Sequence, residues 1–384
     1  MSTRRYSSIL RAPLAAVLLL VTASGASLGA DDPAVPPEVA TRLKARLDGW
    51  REARLAPGVA AAVRFPDGSL WMGTAGAAAV GKAGRAVKPG TPFAIASLTK
   101  TFMSALVLRL VEQGHLSLKD PISRWLPRYP DGDRITVRML LNHRSGIFNY
   151  FEHPQYEKKV FGRPRHHWTV RQILALRGPT YCAPGNCYHY SNTNYVLLGR
   201  IVERITGKSA AKLIRNRFLK PLGLTDTYFQ GQERIGKWPA KGYWLVTGGY
   251  KGWADGTLFR TNTSAATVAN AAGAMVSSVR DVSAWQAALL RGDVLAPESL
   301  VEMLRFHPKS GYGLGMRAAW LDGKRGVGHG GSLRGYVAIM YRLPDPGVDV
   351  VILTNRGNVS VQSLADALTR VALNNLPPPP PPPA

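Results

Sequence analysis

Ser97 and Lys100 are the residue types of a nucleophile and its base, three positions apart. On a helix, side chains at this spacing share a face. A serine hydroxyl attacks a carbonyl when a neighbouring base takes its proton, and a lysine can be that base when burial lowers its pKa. The alternative is structural, because serine is also a common helix N-cap. Ser-x-x-Lys alone leaves both interpretations open.

The helix that holds this pair is predicted within residues 93–114. Residues 102–111 are apolar on nearly every face, which is typical of a buried helix, and Gly114 supplies a stop. Lys100 does not fit this pattern, because a capping box has Glu or Gln there and a first-turn cation faces the positive end of the helix dipole. Broken local rules are expected at functional sites. The misfit therefore favours the catalytic interpretation.

Two later segments carry further polar groups. Tyr-Ser-Asn at 190–192 follows a Pro-Gly turn, and Gly-His-Gly-Gly at 328–331 precedes a predicted strand. Taken singly, Tyr190 fits a buried aromatic residue with a satisfied hydroxyl, and His329 fits a loop histidine beside glycines. Taken with Ser97 and Lys100, the segments indicate one shared site.

In order and spacing, the three motifs resemble Ser-x-x-Lys, Tyr-x-Asn and Lys/His-x-Gly of the penicillin-recognising serine hydrolases. The resemblance extends over almost the whole mature chain, through FAIASLTKTF, ITVRMLLNHRSGI, YHYSNTNYVLLGRIVERITG, YGLGMR, GHGGSLRGY and VVILTN. These look like stretches of the group that contains class C β-lactamases, serine DD-peptidases and related esterases. The resemblance implies an acyl-enzyme mechanism that requires no metal or organic cofactor.

The resemblance also implies a role for each motif residue. Ser97 attacks a carbonyl, and Lys100 with Tyr190 moves the proton, which requires burial and cationic neighbours to lower the pKa of each base. Asn192 hydrogen-bonds Lys100 and the substrate amide. The oxyanion hole consists of the backbone amides of Ser97 and Ser332, presented by a helix start and a strand edge.

By the resemblance, His329 is also a catalytic residue, and the residue type at this position differs between groups of the family. Class C β-lactamases typically have Lys-Thr-Gly here, whereas some soluble streptomycete DD-carboxypeptidases have His-Thr-Gly. Gly330 and Gly331 are predicted to leave room for a substrate backbone, although Gly330 replaces the usual threonine and its hydroxyl. By the same resemblance, Arg317 in YGLGMR binds the terminal carboxylate of the substrate, which suits a guanidinium fork. An exposed strand-end arginine is the alternative interpretation.

The predicted fold class is α/β, with an antiparallel sheet flanked by helices, of the β-lactamase/DD-peptidase type. Predicted elements near both ends of the chain support one sheet built from both termini. The strands are predicted at 58–64, 69–75, 312–319, 335–343 and 348–355, and the helices at 38–54, 279–291 and 361–373. Residues 31–120 and 272–375 form the predicted sheet domain, with a mostly helical insertion at 121–271.

Residues 1–30 have the composition of a signal peptide. Three arginines precede an apolar run at 12–21, and small residues follow. The run is too short to remain as a membrane span in the mature protein. We therefore expect cleavage after Ala26 or Ala30 and a secreted or periplasmic protein.

The chain is strongly basic, with a formal net charge of +25. Residues 1–30 hold three arginines and no acid, so the mature charge is 25 − 3 = +22. Such a charge favours association with anionic surfaces such as cell-wall polymers or lipid headgroups. Nucleic acid is the competing partner, but the basic residues are scattered and form no recognised nucleic-acid motif. The densest basic cluster, at 158–177, is interpreted as a solvated face.

Cys182 and Cys187 flank Ala-Pro-Gly-Asn and are the only cysteines of the sequence. In an exported chain this pair predicts a disulfide that stiffens the turn leading into Tyr190. Metal binding is disfavoured, because structural zinc takes four ligands and His189 adds only one. Residues 376–384 are predicted to form an extended, exposed polyproline tail.

The leading functional hypothesis is a secreted D-alanyl-D-alanine carboxypeptidase that acts on cell-wall peptides. An esterase or a class C-like β-lactamase with the same residues is the second hypothesis. The non-enzyme alternative is a penicillin-binding or wall-binding protein whose working feature is its charge. Tyr150, Trp168 and Trp253 are candidate walls of the substrate pocket.

Overall fold

A seven-stranded antiparallel sheet forms the centre of the protein in the computed structural model, which describes residues 34–81, 84–246, 249–252 and 263–376. The strands are, in chain order, β1 (Gly58–Arg64), β2 (Leu70–Ala79), β3 (Arg85–Ala86), β4 (Phe93–Ala94), β5 (Tyr228–Phe229), β6 (Tyr243–Val246), β7 (Gly249–Gly252), β8 (Met275–Ser277), β9 (Arg317–Leu321), β10 (Lys324–Leu333), β11 (Tyr336–Leu343) and β12 (Val348–Thr354). The large sheet has the order β3-β2-β1-β12-β11-β10-β9. The predicted α/β fold, with an antiparallel sheet built from both ends of the chain, is confirmed.

Helices cover both faces of this sheet. They are, in chain order, α1 (Pro37–Ala53), α2 (Thr99–Glu112), α3 (Val137–Leu141), α4 (Tyr156–Phe161), α5 (Val170–Leu174), α6 (Asn192–Thr206), α7 (Ala210–Ile214), α8 (Thr263–Gly273), α9 (Val279–Arg291), α10 (Pro297–Met303) and α11 (Gln362–Leu373). Helices α1 and α11 pack together on one face, and α2 and α9 belong to the core on the other.

Strand β1 shows why a central strand of this sheet is apolar throughout. Val59, Ala61 and Val63 pack into the cluster that includes α1 and α11, whereas Ala60 and Ala62 belong to the cluster that includes α2 and α9. Because successive side chains of a strand point to opposite faces, burial on both faces requires a continuous apolar run. The core that holds α2 is therefore continuous with the sheet.

Helix α2 is buried on nearly every side, as its sequence predicts. Phe102 stacks on Trp285 of α9, with ring centroids 3.9 Å apart. The indole Nε1 of Trp285 donates a hydrogen bond of 2.9 Å to Thr101 Oγ1. The helix ends at Glu112, and Gly114 adopts φ = 71°, a left-handed conformation that glycine accepts without strain. The segment before the helix is thereby anchored in the core.

Two predicted elements differ from the structure. The strand predicted at 312–319 begins only at Arg317, because Gly315 has φ = 78° and turns the chain. The motif at 328–331 lies inside β10 and not ahead of a strand, since its residues pair with β11 from Gly328 onward. The third motif is therefore held by a sheet and not by a loop.

Several predictions concern residues that the structure does not describe, namely the signal peptide at 1–30, the prolines of the tail and Trp253. The division into a sheet domain and an insertion at 121–271 stays a prediction. That insertion contains α3 to α7 and the short strands β5 to β7. Within the described ranges, no helix has the length and hydrophobicity needed to span a bilayer.

Candidate active site

Ser97 lies in a 3-10 turn, Ala96–Leu98, immediately before α2. Leu98 holds the N-cap position, so the serine side chain does not cap the helix. Ala96 has φ = 48°, a left-handed conformation that costs a non-glycine residue about 1–3 kcal/mol and clusters at functional sites. Ser97 is partly exposed while both of its neighbours are buried. The turn therefore presents this one side chain to solvent.

Lys100 is fully buried, and its amine meets three oxygen atoms. Nζ lies 3.0 Å from Ser97 Oγ, 2.8 Å from Asn192 Oδ1 and 2.6 Å from the carbonyl oxygen of Ala272. Burial lowers the pKa of Lys100 well below its usual value, which favours the neutral amine. A neutral amine has two hydrogens, and the two carbonyl oxygens accept both, which leaves the lone pair for the Ser97 hydroxyl. This is the geometry of a general base.

Asn192 is held in one orientation by hydrogen bonds that end on a carboxylate. Its Nδ2 donates to Asn149 Oδ1 over 3.2 Å, and Asn149 Nδ2 donates to Glu152 Oε1 over 3.0 Å. An ionised carboxylate only accepts, so the orientation of both amides follows from it. The oxygen of Asn192 therefore faces Lys100, which is the contact expected from the sequence.

Tyr190 lies beside Lys100, whose Nζ is 4.9 Å from the centre of the phenol ring. Burial raises the pKa of Tyr190, and the Ser97 hydroxyl and the charge of Arg317 offset only part of the rise. The expectation of a lowered pKa for this phenol is therefore wrong, because burial disfavours the charged phenolate. A neutral phenol is suited to donate a proton. These pKa shifts suit Lys100 to the role of a base and Tyr190 to that of an acid, and both roles stay predictions.

His143 supports Tyr190, although the three motifs do not single it out. It is fully buried, and its ring centre lies 4.1 Å from that of Tyr190. Its Nδ1 accepts the backbone N–H of Ser191 over 3.1 Å. Burial, and then the charge of Lys100, lowers its pKa well below the usual value, so the ring is neutral. The histidine within ITVRMLLNHRSGI was the available signal, but spacing alone does not bring it to Tyr190.

His329 contacts Tyr312 on the far side of the site. Its Nδ1 lies 2.6 Å from Gly330 O and its Nε2 lies 2.8 Å from the Tyr312 hydroxyl. Because a carbonyl only accepts, Nδ1 carries the proton and Nε2 accepts from Tyr312. Burial, and then the charge of Lys100, lowers the pKa of His329 to about 3, so the ring is neutral. Both nitrogens are occupied, so the geometry favours positioning over proton transfer, and a catalytic role stays a prediction.

Gly330 and Gly331 have different surroundings on β10. A Cβ at Gly331 would lie 2.4 Å from the carbonyl oxygen of Ile95 and 3.0 Å from Ser97 N. At Gly330 the nearest atom is the Tyr341 hydroxyl at 3.2 Å, the tip of a side chain. The close approach that requires Gly331 is therefore with the nucleophile turn, and the room for a substrate backbone stays a prediction.

The approach at Gly331 also brings the predicted oxyanion donors to one cleft, which both Ser97 and Ser332 line. The first backbone N–H groups of a helix have no hydrogen-bond partner within the helix. The backbone N–H of Ser97 is therefore available to a substrate oxygen. Strand β9 pairs with β10 only as far as Gly328, so the outer edge of β10 at Ser332 has no strand neighbour in the described chain. The two amides stay the predicted oxyanion hole.

A cleft of about 490 Å³ brings the remaining predicted side chains together. Its lining includes Ser97, Tyr190, Asn192, Arg317, His329, Gly330, Gly331 and Ser332. Arg317 is exposed at the start of β9, and Phe151 and Tyr188 add aromatic walls. Lys100 lies behind Ser97 and does not line the cleft.

Tyr150 and Trp168 do not line this cleft, so their interpretation as pocket walls is wrong. The hydroxyl of Tyr150 donates to Val268 O over 2.5 Å, and Nε1 of Trp168 donates to Ser264 Oγ over 2.7 Å. Both side chains are buried in a small separate core. Their polar atoms are satisfied inside the protein, which residue type alone does not reveal.

Cys182 and Cys187 form a disulfide, as predicted. The segment around the bridge runs along an earlier loop, where Tyr181 N donates to Gly146 O and His189 N donates to His143 O. Closing so short a loop contributes about 2 kcal/mol in the chain-entropy model. The bridge thus restrains the segment that leads to Tyr190.

Among the described residues, no group of three or more His, Cys, Asp or Glu side chains is arranged to hold a metal ion.

Solved structures of two D-specific hydrolases have the same fold. A D-stereospecific amidohydrolase from a Streptomyces species is 31% identical, with a TM-score of 0.72 over 86% of this chain and 98% of that enzyme. The D-amino acid amidase of Ochrobactrum anthropi, in complex with L-phenylalanine, is 29% identical, with a TM-score of 0.77 over 88% of this chain and 99% of the amidase. The likeness therefore spans nearly the whole of both enzymes.

Sequence comparison leads to the same group. A penicillin-binding protein of Bacillus subtilis is 36% identical over 149 residues, which are 37% of this chain and 32% of that protein. The match spans about a third of the length of the first curated relatives. The family model described as beta-lactamase matches residues 43–373, a range that contains all three motifs. The chain therefore belongs to the beta-lactamase and penicillin-binding-protein family of serine hydrolases.

Proposed function

We propose that this protein is a D-alanyl-D-alanine carboxypeptidase that trims cell-wall peptides. The observation that carries the proposal is the exposed guanidinium of Arg317 in the same cleft as Ser97. No acidic side chain of the described residues pairs with Arg317, so its planar fork is available to a carboxylate. A peptide that ends in D-alanine offers such a carboxylate one residue beyond the scissile amide.

Acylation begins when Ser97 Oγ bonds to the substrate carbonyl carbon and its proton passes to Lys100 Nζ. The backbone N–H groups of Ser97 and Ser332 stabilise the oxyanion of the tetrahedral intermediate. The C–N bond then breaks, and the departing D-alanine amine takes a proton from the Tyr190 hydroxyl. Tyr190 recovers a proton from the Lys100 ammonium. An ester on Ser97 and a neutral Lys100 remain.

Deacylation uses the same groups with water as the nucleophile. Neutral Lys100 draws a proton from water, directly or through Tyr190, as the water oxygen bonds to the ester carbon. The C–O bond to Ser97 breaks, and the serine oxygen regains a proton from the Lys100 ammonium. The shortened peptide leaves as a carboxylic acid, and the enzyme returns to its starting state.

A matched pair of peptides tests the carboxylate contact. Both end in D-Ala-D-Ala, but one has a free C-terminus and the other a C-terminal amide. We expect the free acid to react at least about tenfold faster, because a charge-assisted bidentate contact is lost in the amide. The preference should disappear in Arg317→Ala and persist in Arg325→Ala, a matched change of an exposed arginine on β10. Equal rates in the wild-type protein would contradict the proposal.

A D-amino acid amidase is the second candidate function, since the two structural neighbours are named as D-specific amide hydrolases. The amide of D-phenylalanine, a D-Ala-D-Ala peptide, a short-chain ester and a chromogenic cephalosporin separate the candidates. A peptide rate above the other three supports the carboxypeptidase. A faster D-amide, ester or cephalosporin would move the assignment to amidase, esterase or β-lactamase.

We further propose that residues 1–30 direct export and that the basic mature chain associates with the anionic cell wall. Protein recovered from the medium or periplasm should then begin after Ala26 or Ala30, as measured by intact mass. Retention of residues 1–30 on cytoplasmic protein would contradict export.

The alternative, a non-catalytic wall-binding protein, predicts instead that the Ser97→Ala variant keeps its full biological effect. It also predicts that a fluorescent penicillin labels no serine of the folded wild type.

A further inference from the structure

A second cleft, about 880 Å³ in volume, shares no lining residue with the cleft that contains Ser97. It lies among α5, the residues that follow α5, helix α6 and the loops on either side of α3. Its floor is apolar, formed by Leu126, Ile135, Ile147, Phe148, Leu174 and Leu176. The volume falls within the roughly 300–1,000 Å³ that small-molecule sites occupy. The second cleft is therefore large enough for a ligand and offers it an apolar surface.

The rim of this cleft is strongly basic. It carries five arginines, namely Arg128, Arg171, Arg177, Arg200 and Arg204. Arg200 pairs with Glu203 over 3.1 Å, and the single acid of the lining, Asp131, pairs with Arg134 over 3.5 Å. No acidic side chain in the described ranges pairs with the other four arginines, all of which are exposed. The rim therefore has an uncompensated positive charge.

One rim charge acts on the wall of the cleft itself. Burial raises the pKa of Tyr129 to about 12, and the charge of Arg177 opposes this rise. Tyr129 and Arg177 both line the cleft, so this charge acts on the cleft wall. The arginines and the apolar floor line one cleft and thus form one binding surface.

From this combination we propose that the second cleft binds a single-chain anionic lipid, with its alkyl chain on the apolar floor and its phosphate among the rim arginines. An apolar ligand would leave four guanidinium groups unused, and a small anion would leave the floor exposed to water. Arginine is suited to phosphate because its planar fork donates two parallel hydrogen bonds. The inference does not depend on which substrate the catalytic cleft accepts.

The position of the second cleft connects it to the catalytic segment. Phe148 lines the cleft, and its carbonyl oxygen accepts hydrogen bonds from Ser191 Oγ over 3.1 Å and from Thr193 Oγ1 over 2.6 Å. These two residues flank Asn192, which holds Lys100. A lipid on Phe148 would therefore lie one hydrogen bond away from the segment that carries Tyr190 and Asn192.

Calorimetry with three soluble probes tests the proposal on the full-length protein. The probes are decyl phosphate below its micelle concentration, glycerol 3-phosphate, which has the anion without the chain, and decanol, which has the chain without the anion. We expect decyl phosphate to bind one site at least about tenfold more tightly than either other probe. Equal affinity for glycerol 3-phosphate would reveal a plain anion site, and equal affinity for decanol a plain apolar pocket, and either would overturn the proposal.

Paired variants locate the binding. Arg171→Ala with Arg177→Ala should weaken decyl phosphate at least about tenfold, whereas Lys324→Ala with Arg325→Ala, an equal loss of exposed charge on β10, should leave it within about twofold. Ala175→Trp, at an exposed lining position, should weaken binding by placing an indole in part of the cleft. Unchanged penicillin labelling of each variant serves as the folding control. Equal losses in the rim and control pairs would overturn the proposal, because binding would then follow net charge alone.

Discussion

Lys100 and Arg317 are two cations of the catalytic region, and their surroundings suit them to opposite tasks. Lys100 is fully buried, its amine is bonded to three oxygen atoms, and burial lowers its pKa. Arg317 is exposed in the lining of the cleft, and its planar guanidinium has the geometry to bind a carboxylate. The buried cation can lose its proton and act on Ser97. The exposed one is suited to bind the carboxylate of a substrate.

The difference shows how differently the protein supports the two side chains. The buried amine is oriented through Asn192, Asn149 and Glu152, because an unpartnered polar group in the core is costly. Within the described ranges no side-chain hydrogen bond or ion pair orients Arg317, so its contribution depends on the charge that the substrate brings. Substitution of Lys100 should therefore slow acylation by every substrate. Substitution of Arg317 should slow acylation only by substrates that have a carboxylate.

Lys100→Met gives the largest expected effect. It removes the base while keeping an unbranched side chain of similar length, so acylation by a penicillin and by a neutral ester should both fall about 10³-fold, within the range of general-base catalysis. The rates are measured by stopped-flow labelling of Ser97. Arg317→Met is the matched control and should leave the ester rate unchanged. If Lys100→Met acylates the ester within about tenfold of the wild-type rate, Lys100 is not the base.

Gly331→Ala tests the close contact between β10 and the turn that contains Ser97. Its Cβ would lie 2.4 Å from the carbonyl oxygen of Ile95, so the strand must move away from the nucleophile turn and from the predicted oxyanion donors. Loss of one such donor costs about 10²–10³-fold in rate, and we expect a loss of acylation near the lower value. Gly330→Ala is the control, since the nearest atom to its Cβ would be a side-chain hydroxyl at 3.2 Å and the nearest backbone atom would be at 4.0 Å. Equal rates for the two variants would show that the approach of β10 to Ser97 has no catalytic importance.

Much of this site is predictable from the motifs and their resemblance to a family. That Ser97, Lys100, Tyr190 and Asn192 share a site follows from their order, and an antiparallel sheet follows from elements at both chain ends. The protonation states do not follow in this way. The third oxygen around Lys100 is the backbone carbonyl of Ala272, which has no residue-type signature. The neutral state of Tyr190 depends on burial, which the sequence does not show.

The basic cluster at 158–177 illustrates a second limit of sequence interpretation. Counting charges predicts a solvated face, and Arg171 and Arg177 are indeed exposed. The structure brings them beside Arg128 and Arg204, which lie far away in the sequence, around the apolar floor of the second cleft. That arrangement depends on how α5 and α6 pack, and charge patterning along the chain does not determine it.

The pH dependence of acylation separates Lys100 from the two buried histidines. Only neutral Lys100 accepts the serine proton, so the rate should rise about tenfold per pH unit up to the pKa of Lys100 and then level off, below the usual lysine value of 10.5. His329, with a pKa of about 3, and His143, with a lowered pKa, stay neutral and should add no step near pH 6.5. His143→Phe should leave the position of the acid limb unchanged. A limb near pH 6.5 that vanishes in this variant would assign the base to histidine.

The smallest effect concerns stability and tests the buried cation without any substrate. Between the lowered pKa of Lys100 in the folded protein and its usual value of 10.5, the unfolded chain binds a proton that the folded chain does not. The free energy of unfolding of the wild type, relative to that of Lys100→Met, should therefore rise with pH in this window, by about 1.4 kcal/mol per unit. Denaturant unfolding of both proteins at pH 7, 8, 9 and 10 measures the slope. A flat difference would mean that the lysine is an ammonium ion in the resting protein, and an ammonium ion has no lone pair to take the proton of Ser97.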